Sequence, residues 1–336
     1  MKNLLEMIAK LTAEEREQLK MFLLSSEFKK AVKLDEYVAN ERFANGRACP
    51  LCGSVHVVRN GHHSNGAQRF YCRDCNKSFV TTTNTIVAST KKDFSVWEKY
   101  ISCMMHGMSL RKTAEYCGIN KNTAFYWRHK ILDALQHMAN SVELNGIVEV
   151  DETFFNVSYK GSREMPRQAR HRGSENHTRG LSHEKVCVPC AVNRTGLSIA
   201  KASNLGRLST QDVHNIYDGR IEANSTLVTD KLSAYVRFAS ASNLNLVQLK
   251  NGRAKSGIYN IQHINNYHSR LKKFMGNFNG VATKYLNNYL VWNNFVNYAK
   301  ETHAEKKNIL MRFALTTTMN MTCEQVSQRE ALPFCA

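Results

Sequence analysis

Two cysteine pairs, Cys49-Pro-Leu-Cys52 and Cys72-Arg-Asp-Cys75, stand nineteen residues apart and constrain the chain more than any other feature. Each pair turns two thiolates toward one point, and four thiolates complete a closed tetrahedral zinc site. A segment of this length cannot bury much core, so residues 46–82 are expected to fold as a zinc ribbon around the metal, with Phe70, Tyr71 and Phe79 supplying the apolar filling. A closed four-cysteine site is structural and does no catalysis. The other pair, Cys187-Val-Pro-Cys190, has no partner pair and lies in the apolar run Val186–Val192, where two buried strand thiols are the expected state. Cys103, Cys117, Cys323 and Cys335 are isolated and are read as structural or incidental.

The formal charge of +18 is unevenly placed. Residues 1–45 carry eight basic and eight acidic side chains, residues 46–140 thirteen against five, and residues 141–336 twenty-five against fifteen. Between Lys231 and Lys300 there is no Asp or Glu, against ten Lys or Arg. A surface of this kind suits a polyanion, because neutralising phosphates releases condensed counterions. No apolar run reaches the roughly eighteen residues of a membrane span, and the N-terminus lacks a signal-peptide pattern. A cytoplasmic location, nucleoid-associated when DNA is bound, is expected.

Along the chain, residues 1–45 read as helical, with Thr12 and Glu15 as a capping box and Leu19, Phe22 and Leu23 as an apolar stripe. Residues 91–140 are helical again. Within them Ser109–Leu132 reads as a helix to Cys117, a turn at Gly118 and a second helix from Asn120. Leu110, Ala114, Ile119, Ala124 and Ile131 provide packing, which leaves Lys121, Asn122, Thr123, Tyr126 and Arg128 free for DNA in a helix-turn-helix plan. The plainer alternative is an ordinary helical hairpin. From 145 to 300 strand-like segments (Ile147–Phe155, Val186–Val192, Leu197–Ala200, Thr226–Val228) mix with helices, as in an α/β domain, with a long basic loop between Lys160 and Lys185. The tail, 301–336, offers no signal.

Asp151 follows the apolar run Ile147–Val150, and Asp230 follows Thr226–Val228. Carboxylates at adjacent strand ends can hold Mg²⁺ or Mn²⁺, ions that favour oxygen ligands. Asn265 and Lys272 are seven residues apart, so on a helix both project from one face. The asparagine would add a neutral oxygen and the lysine would meet a phosphate. Singly each is weak: an Asp after a strand is commonly a turn residue, and Asn265 could cap a helix near His263. Glu152 and His268 are rival ligands, each more simply read as exposed or hydrogen-bonded on a surface.

The stretches VEVDETFF, VTDKLSAY, NNYHSRLKKF, GVATKYLNNYLVW and KVCVPCAVNRTGLSIAK, together with the ribbon, resemble insertion-sequence transposases of the DDE superfamily. The closer resemblance is to the subgroup with an N-terminal zinc ribbon and an Asp-Asp-Asn-Lys signature, over roughly residues 46–300. It implies a ribonuclease-H-like (retroviral-integrase-type) catalytic domain behind the ribbon and helix-turn-helix. It also implies an enzyme that binds the terminal inverted repeats, cuts them with divalent ions and joins the 3′-hydroxyls to target DNA, as a homo-oligomer. By this match Asp151, Asp230 and Asn265 are magnesium ligands and Lys272 the positioning lysine. A DNA-binding regulator that no longer cuts, or a structure-specific nuclease, are the alternatives.

Overall fold

A computed structural model describes residues 11–12, 14–15, 33–166, 168, 184–230, 232–249, 255–298 and 301–332. Thr12 and Glu15 form the expected capping box: the Thr12 amide donates to Glu15 Oε2 at 2.8 Å and the Glu15 amide to Thr12 Oγ1 at 3.3 Å. Leu19, Phe22, Leu23, Lys231, Cys335 and most of the basic loop lie outside the described residues.

Helix α1 (Leu34–Arg42) leads into the ribbon, whose strands β1 (Val57–His62), β2 (Gln68–Cys72) and β3 (Ser78–Val80) form an antiparallel sheet. Strand alternation points Phe70 inward against Phe79, ring centres 5.6 Å apart, and Phe43 closes the cluster. The same alternation turns Tyr71 outward, where its hydroxyl donates to Asn76 Oδ1, so Tyr71 does not fill the core as the sequence suggested.

Three helices follow: α2 (Phe94–Met105), α3 (Leu110–Cys117) and α4 (Lys121–Ala139). The punctuation read from the sequence is present. Ser109 Oγ accepts from the Lys112 amide, Gly118 takes the left-handed conformation (φ 60°) that ends α3, and Asn120 caps α4. Trp97 stacks on Trp127 with ring centres 3.5 Å apart, and Tyr100, Ile131 and Leu132 are fully buried. Burial of each such side chain stabilises the fold by about 1.5–3 kcal/mol.

The main sheet comprises β4 (Ile147–Asn156), β5 (Lys185–Asn193), β6 (Ser198–Ala200), β7 (Thr226–Thr229) and β8 (Asn245–Gln248), in the order β6-β5-β4-β7-β8. The first three strands run antiparallel, and β7 and β8 lie parallel to β4. Helices α5 (Thr210–Tyr217) and α6 (Ser233–Ala241) cover one face of the sheet; α7 (Gln262–Gly276) and α8 (Leu286–Tyr298) cover the other. An antiparallel meander extended by parallel strands and sandwiched between helices is the ribonuclease-H-like arrangement. Cys187 and Cys190, three apart on β5, point into opposite cores and are both buried, so they are not a ligand pair.

The helical hairpin is not a free module. Residues of α2, α3 and α4 share one core with α7, α8 and α9 (His303–Thr316). The C-terminal segment then returns across this junction through α10 (Cys323–Ser327). Arg329 pairs with Asp133 of α4 and donates to Asn288 of α8, while Tyr285 donates to the Val326 carbonyl. Closer to the ribbon, Arg42 donates to the Thr81 and Thr83 carbonyls and to Thr318.

Candidate active site and zinc centre

The four ribbon thiols converge. Their sulfurs all lie within 4.8 Å of one another, with Cys49–Cys75 at 3.7 Å and Cys52–Cys72 at 3.6 Å. A tetrahedron with Zn–S bonds of about 2.3 Å has edges of about 3.8 Å, so this donor set fits zinc without rearrangement.

On the main sheet, β4 and β7 pair in parallel with Ile147 opposite Thr226, Val148 opposite Leu227 and Glu149 opposite Val228. Continued at the same offset, Asp151 is level with Asp230. Pairing stops at Glu149 while β4 runs on with β5 to Asn156, so Asp151 sits within β4 and not at its end as the sequence suggested. It sits instead where β4 and β7 cease to be bonded. Asp230 is exposed just past β7, and its Oδ1 accepts from the Leu232 amide.

Odd-numbered residues of β4 face α7, which brings His268 against Asp151 and Lys272 close enough for its charge to act on that carboxylate. Asn265 and Lys272 are exposed on one helix face, as their spacing required. His268, between them, is buried, with Nδ1 3.8 Å from Asp151 Oδ2 and Nε2 lacking a protein partner. It is therefore not the surface histidine that the sequence favoured. Burial, reinforced by the Lys272 ammonium, lowers its pKa to about 4, so the ring is neutral near pH 7. Burial pushes the Asp151 carboxyl up to about 6; the Glu152 amide opposes this, Asp230 adds to it and Lys272 counters it. A carboxylate whose proton affinity is raised by burial and by a second carboxylate, with a neutral imidazole 3.8 Å away, offers oxygen and nitrogen groups of the kind a divalent cation takes.

Glu152 points through the opposite face of the sheet, toward Tyr235 of α6 and Cys187. Burial first, then Asp151 and Asp230, bring it to about 7. It is part-buried and not solvent-exposed, and it does not share the face of Asp151.

The ends of α7 are held by residues that sequence reasoning overlooked. Glu149, on the same face as Asp151 and fully buried, accepts from the His263 and Ile264 amides at 2.8 and 3.1 Å. Beyond the other end, Lys160 Nζ donates to the carbonyls of Phe278, Asn279 and Gly280 at 3.3, 2.9 and 2.7 Å. An anion at the amide end and a cation at the carbonyl end both complement the helix dipole. A glutamate in an otherwise apolar strand, two residues before Asp151, was the available signal.

In the hairpin, Lys121 and Asn122 are exposed and Thr123 and Tyr126 half-buried, so the first turn of α4 is open to a partner. Arg128 is not. It is 1% exposed, donates to the Met108 carbonyl at 2.7 Å and lies 4.9 Å from the Trp292 ring centre. The reading of Arg128 as a DNA contact is corrected: the helix that would carry it outward is embedded against α8.

Comparison with known proteins agrees with this layout. Residues 143–295 match the ISXO2-like transposase domain, and residues 48–76 match the InsA N-terminal domain. An uncharacterized protein in transposable element ISH50 of Halobacterium salinarum is 28% identical over 204 residues, covering 59% of this chain and 66% of that relative. The match thus spans just under two thirds of the relative's length. Among solved structures, a chain of the simian T-cell lymphotropic virus intasome in complex with PP2A regulatory subunit B56 gamma is 12% identical with TM-score 0.29. It covers 48% of this chain and 52% of that one. The Mos1 transposase paired-end complex with left transposon end is 10% identical with TM-score 0.28, covering 65% and 75%. Likeness at that level carries no weight beside the strand order itself. No helix among the described residues is long and apolar enough to cross a membrane. In chain order, then, a segment similar to the InsA N-terminal domain precedes a segment similar to the ISXO2-like transposase domain.

Proposed function

We propose that the protein is a DNA transposase that binds insertion-sequence ends, cleaves them by divalent-metal-dependent phosphoryl transfer and joins the freed 3′-hydroxyls to target DNA. The observation that carries this reading is the level register of Asp151 and Asp230 at adjacent parallel strands, on the sheet face covered by α7 where His268 meets Asp151. Asp151, Asp230 and Asn265 would hold Mg²⁺ or Mn²⁺. His268, whose Nδ1 lies 3.8 Å from Asp151 Oδ2 and whose Nε2 has no hydrogen-bond partner, is the rival for the third position. Such an ion supplies charge against the developing oxyanion and lowers the pKa of an attacking hydroxyl.

The chain's own groups supply the rest. The exposed Lys272 would meet a phosphate oxygen, and the basic stretch 231–300 carries no carboxylate side chain to repel the DNA backbone. Lys121, Asn122, Thr123 and Tyr126 are the candidate end-reading residues, and the zinc ribbon adds Arg59, Arg69, Arg73 and Lys77 as further cations. Cutting paired ends calls for at least two copies on the DNA. The test is incubation of a labelled duplex carrying the flanking inverted repeats with the full chain. The reading predicts strand cleavage and joining with Mg²⁺ and none with chelator; specific binding without cleavage under both conditions would leave only a regulator.

A further inference from the structure

Helix α7 begins with only part of its first turn satisfied locally. Ile261 occupies the N-cap position and provides no side-chain hydrogen bond; Asn260 Oδ1 takes the Gln262 amide at 3.1 Å, and the next two amides of this fifteen-residue helix need an acceptor from elsewhere. The acceptor is Glu149, more than a hundred residues away in sequence. One carboxylate oxygen, Oε2, takes both the His263 and Ile264 amides. The other, Oε1, takes His263 Nδ1 at 2.8 Å and Arg194 Nη2 at 3.1 Å, the arginine arriving from the turn after β5. With its side chain 1% exposed, the carboxylate meets four nitrogen donors. A carboxylate offers about four acceptor positions, so this one is saturated.

Glu149 and Asp151 are alternate residues of one strand and face the same helix. Fixing the start of α7 at Glu149 therefore fixes the height and rotation of the face that carries Asn265, His268 and Lys272 relative to Asp151. We propose that Glu149 is a positioning residue: its carboxylate, clamped by His263 and Arg194, sets the distance between the β4 and α7 ligands of the divalent-cation site. The inference rests on the metal-site reading given above and adds the device that assembles it. Glu149 touches neither substrate nor ion; it acts through the helix. Supporting groups of this kind commonly change metal affinity by roughly 10–100-fold when removed.

The test is direct Mn²⁺ binding to the zinc-loaded full chain, read by the loss of the free-ion electron paramagnetic resonance signal. It uses wild type, Glu149→Gln, Glu149→Ala and Asp151→Ala. Asp151→Ala should abolish the site. Glu149→Ala should weaken Mn²⁺ binding about tenfold, and Glu149→Gln should fall between, since its amide keeps one acceptor but presents N–H to the remaining donors. Zinc content and affinity for element-end DNA should stay at wild-type levels in both Glu149 variants. If Glu149→Ala fails to fold, Glu149→Gln alone decides. Wild-type Mn²⁺ affinity in the folded Glu149 variants, with loss in Asp151→Ala, would overturn the positioning role and leave the metal site standing. Wild-type Mn²⁺ affinity in Asp151→Ala would overturn both.

Discussion

Arg128 of α4 lies over Trp292 of α8, its guanidinium carbon 4.9 Å from the ring centre, and Phe278 stands 5.9 Å away on the same guanidinium. This stacking joins the second helix of the hairpin to a helix that covers the main sheet. The two parts share one core, so a rotation of α4 against the catalytic sheet requires this packing to break. On the proposed reading, end recognition and strand cutting would be carried on one frame.

Arg128→Ala should accordingly act on stability and not on recognition. Removing a buried, stacked side chain and leaving the Met108 carbonyl unpaired costs about 3 kcal/mol. Urea unfolding should show that loss, while the folded fraction keeps wild-type discrimination between cognate and scrambled ends. Reduced discrimination at unchanged stability would restore Arg128 as a base-reading residue.

Lys121 and Asn122 predict the complementary outcome. A good base contact is worth about 1–3 kcal/mol of discrimination, so Asn122→Ala should narrow the gap between cognate and scrambled DNA. Lys121→Ala should weaken both alike and flatten the salt dependence by about one counterion. Binding titrations at several salt concentrations separate the two; no effect from either would make the hairpin purely structural.

His129 gives a pH prediction. Burial, then the charges of Arg329, Arg128 and Lys284, lower its pKa to about 3, so the folded chain holds it neutral. Above the unfolded pKa of about 6.5 this costs nothing. As pH falls below that value the unfolded chain takes up a proton that the folded chain refuses, and stability drops by up to about 1.4 kcal/mol per pH unit toward pH 3. The raised pKa of Asp133 has the opposite slope, so the measured quantity is the difference between wild type and His129→Gln. The variant should be the less pH-sensitive of the two between pH 6.5 and 4; parallel curves would contradict a buried neutral imidazole.

Zinc removal should melt the ribbon selectively. Cys49→Ser/Cys72→Ser should lose the single zinc per chain by elemental analysis, while the catalytic core, which shares no residue with the ribbon cluster, keeps its cooperative unfolding. Retention of full zinc would reassign the metal.

Much of this architecture was legible because local signals agreed with the global fold. The paired knuckles, the Ser109, Gly118 and Asn120 punctuation, and the apolar runs of β4, β5, β6 and β7 each state their element without help from distant residues. What stayed hidden depends on partners far along the chain. Arg128 carries the chemistry of a phosphate contact and is buried because α8 supplies Trp292. Glu149 acts through His263, Ile264 and Arg194, and the 301–336 tail matters because Arg329 reaches Asp133. Strand β8, with two exposed and two half-buried residues, has no alternating pattern strong enough to announce it.

The third ligand separates Asn265 from His268. If the amide oxygen coordinates, Asn265→Ala should lose cleavage and Asn265→Asp should keep part of it. If the free Nε2 of His268 coordinates instead, His268→Ala should be the inactive variant and Asn265→Ala the active one. Single-turnover rates with Mg²⁺ and with Mn²⁺ decide between them.

The most direct measurement of the central claim is single-turnover cleavage of a labelled element end by wild type, Asp151→Ala and Asp230→Ala at equal DNA occupancy. Both variants should bind the end with wild-type affinity, because the cations that hold DNA lie elsewhere, and both should show no cleavage or joining with either metal. Wild-type cutting by either variant would contradict the paired-aspartate site.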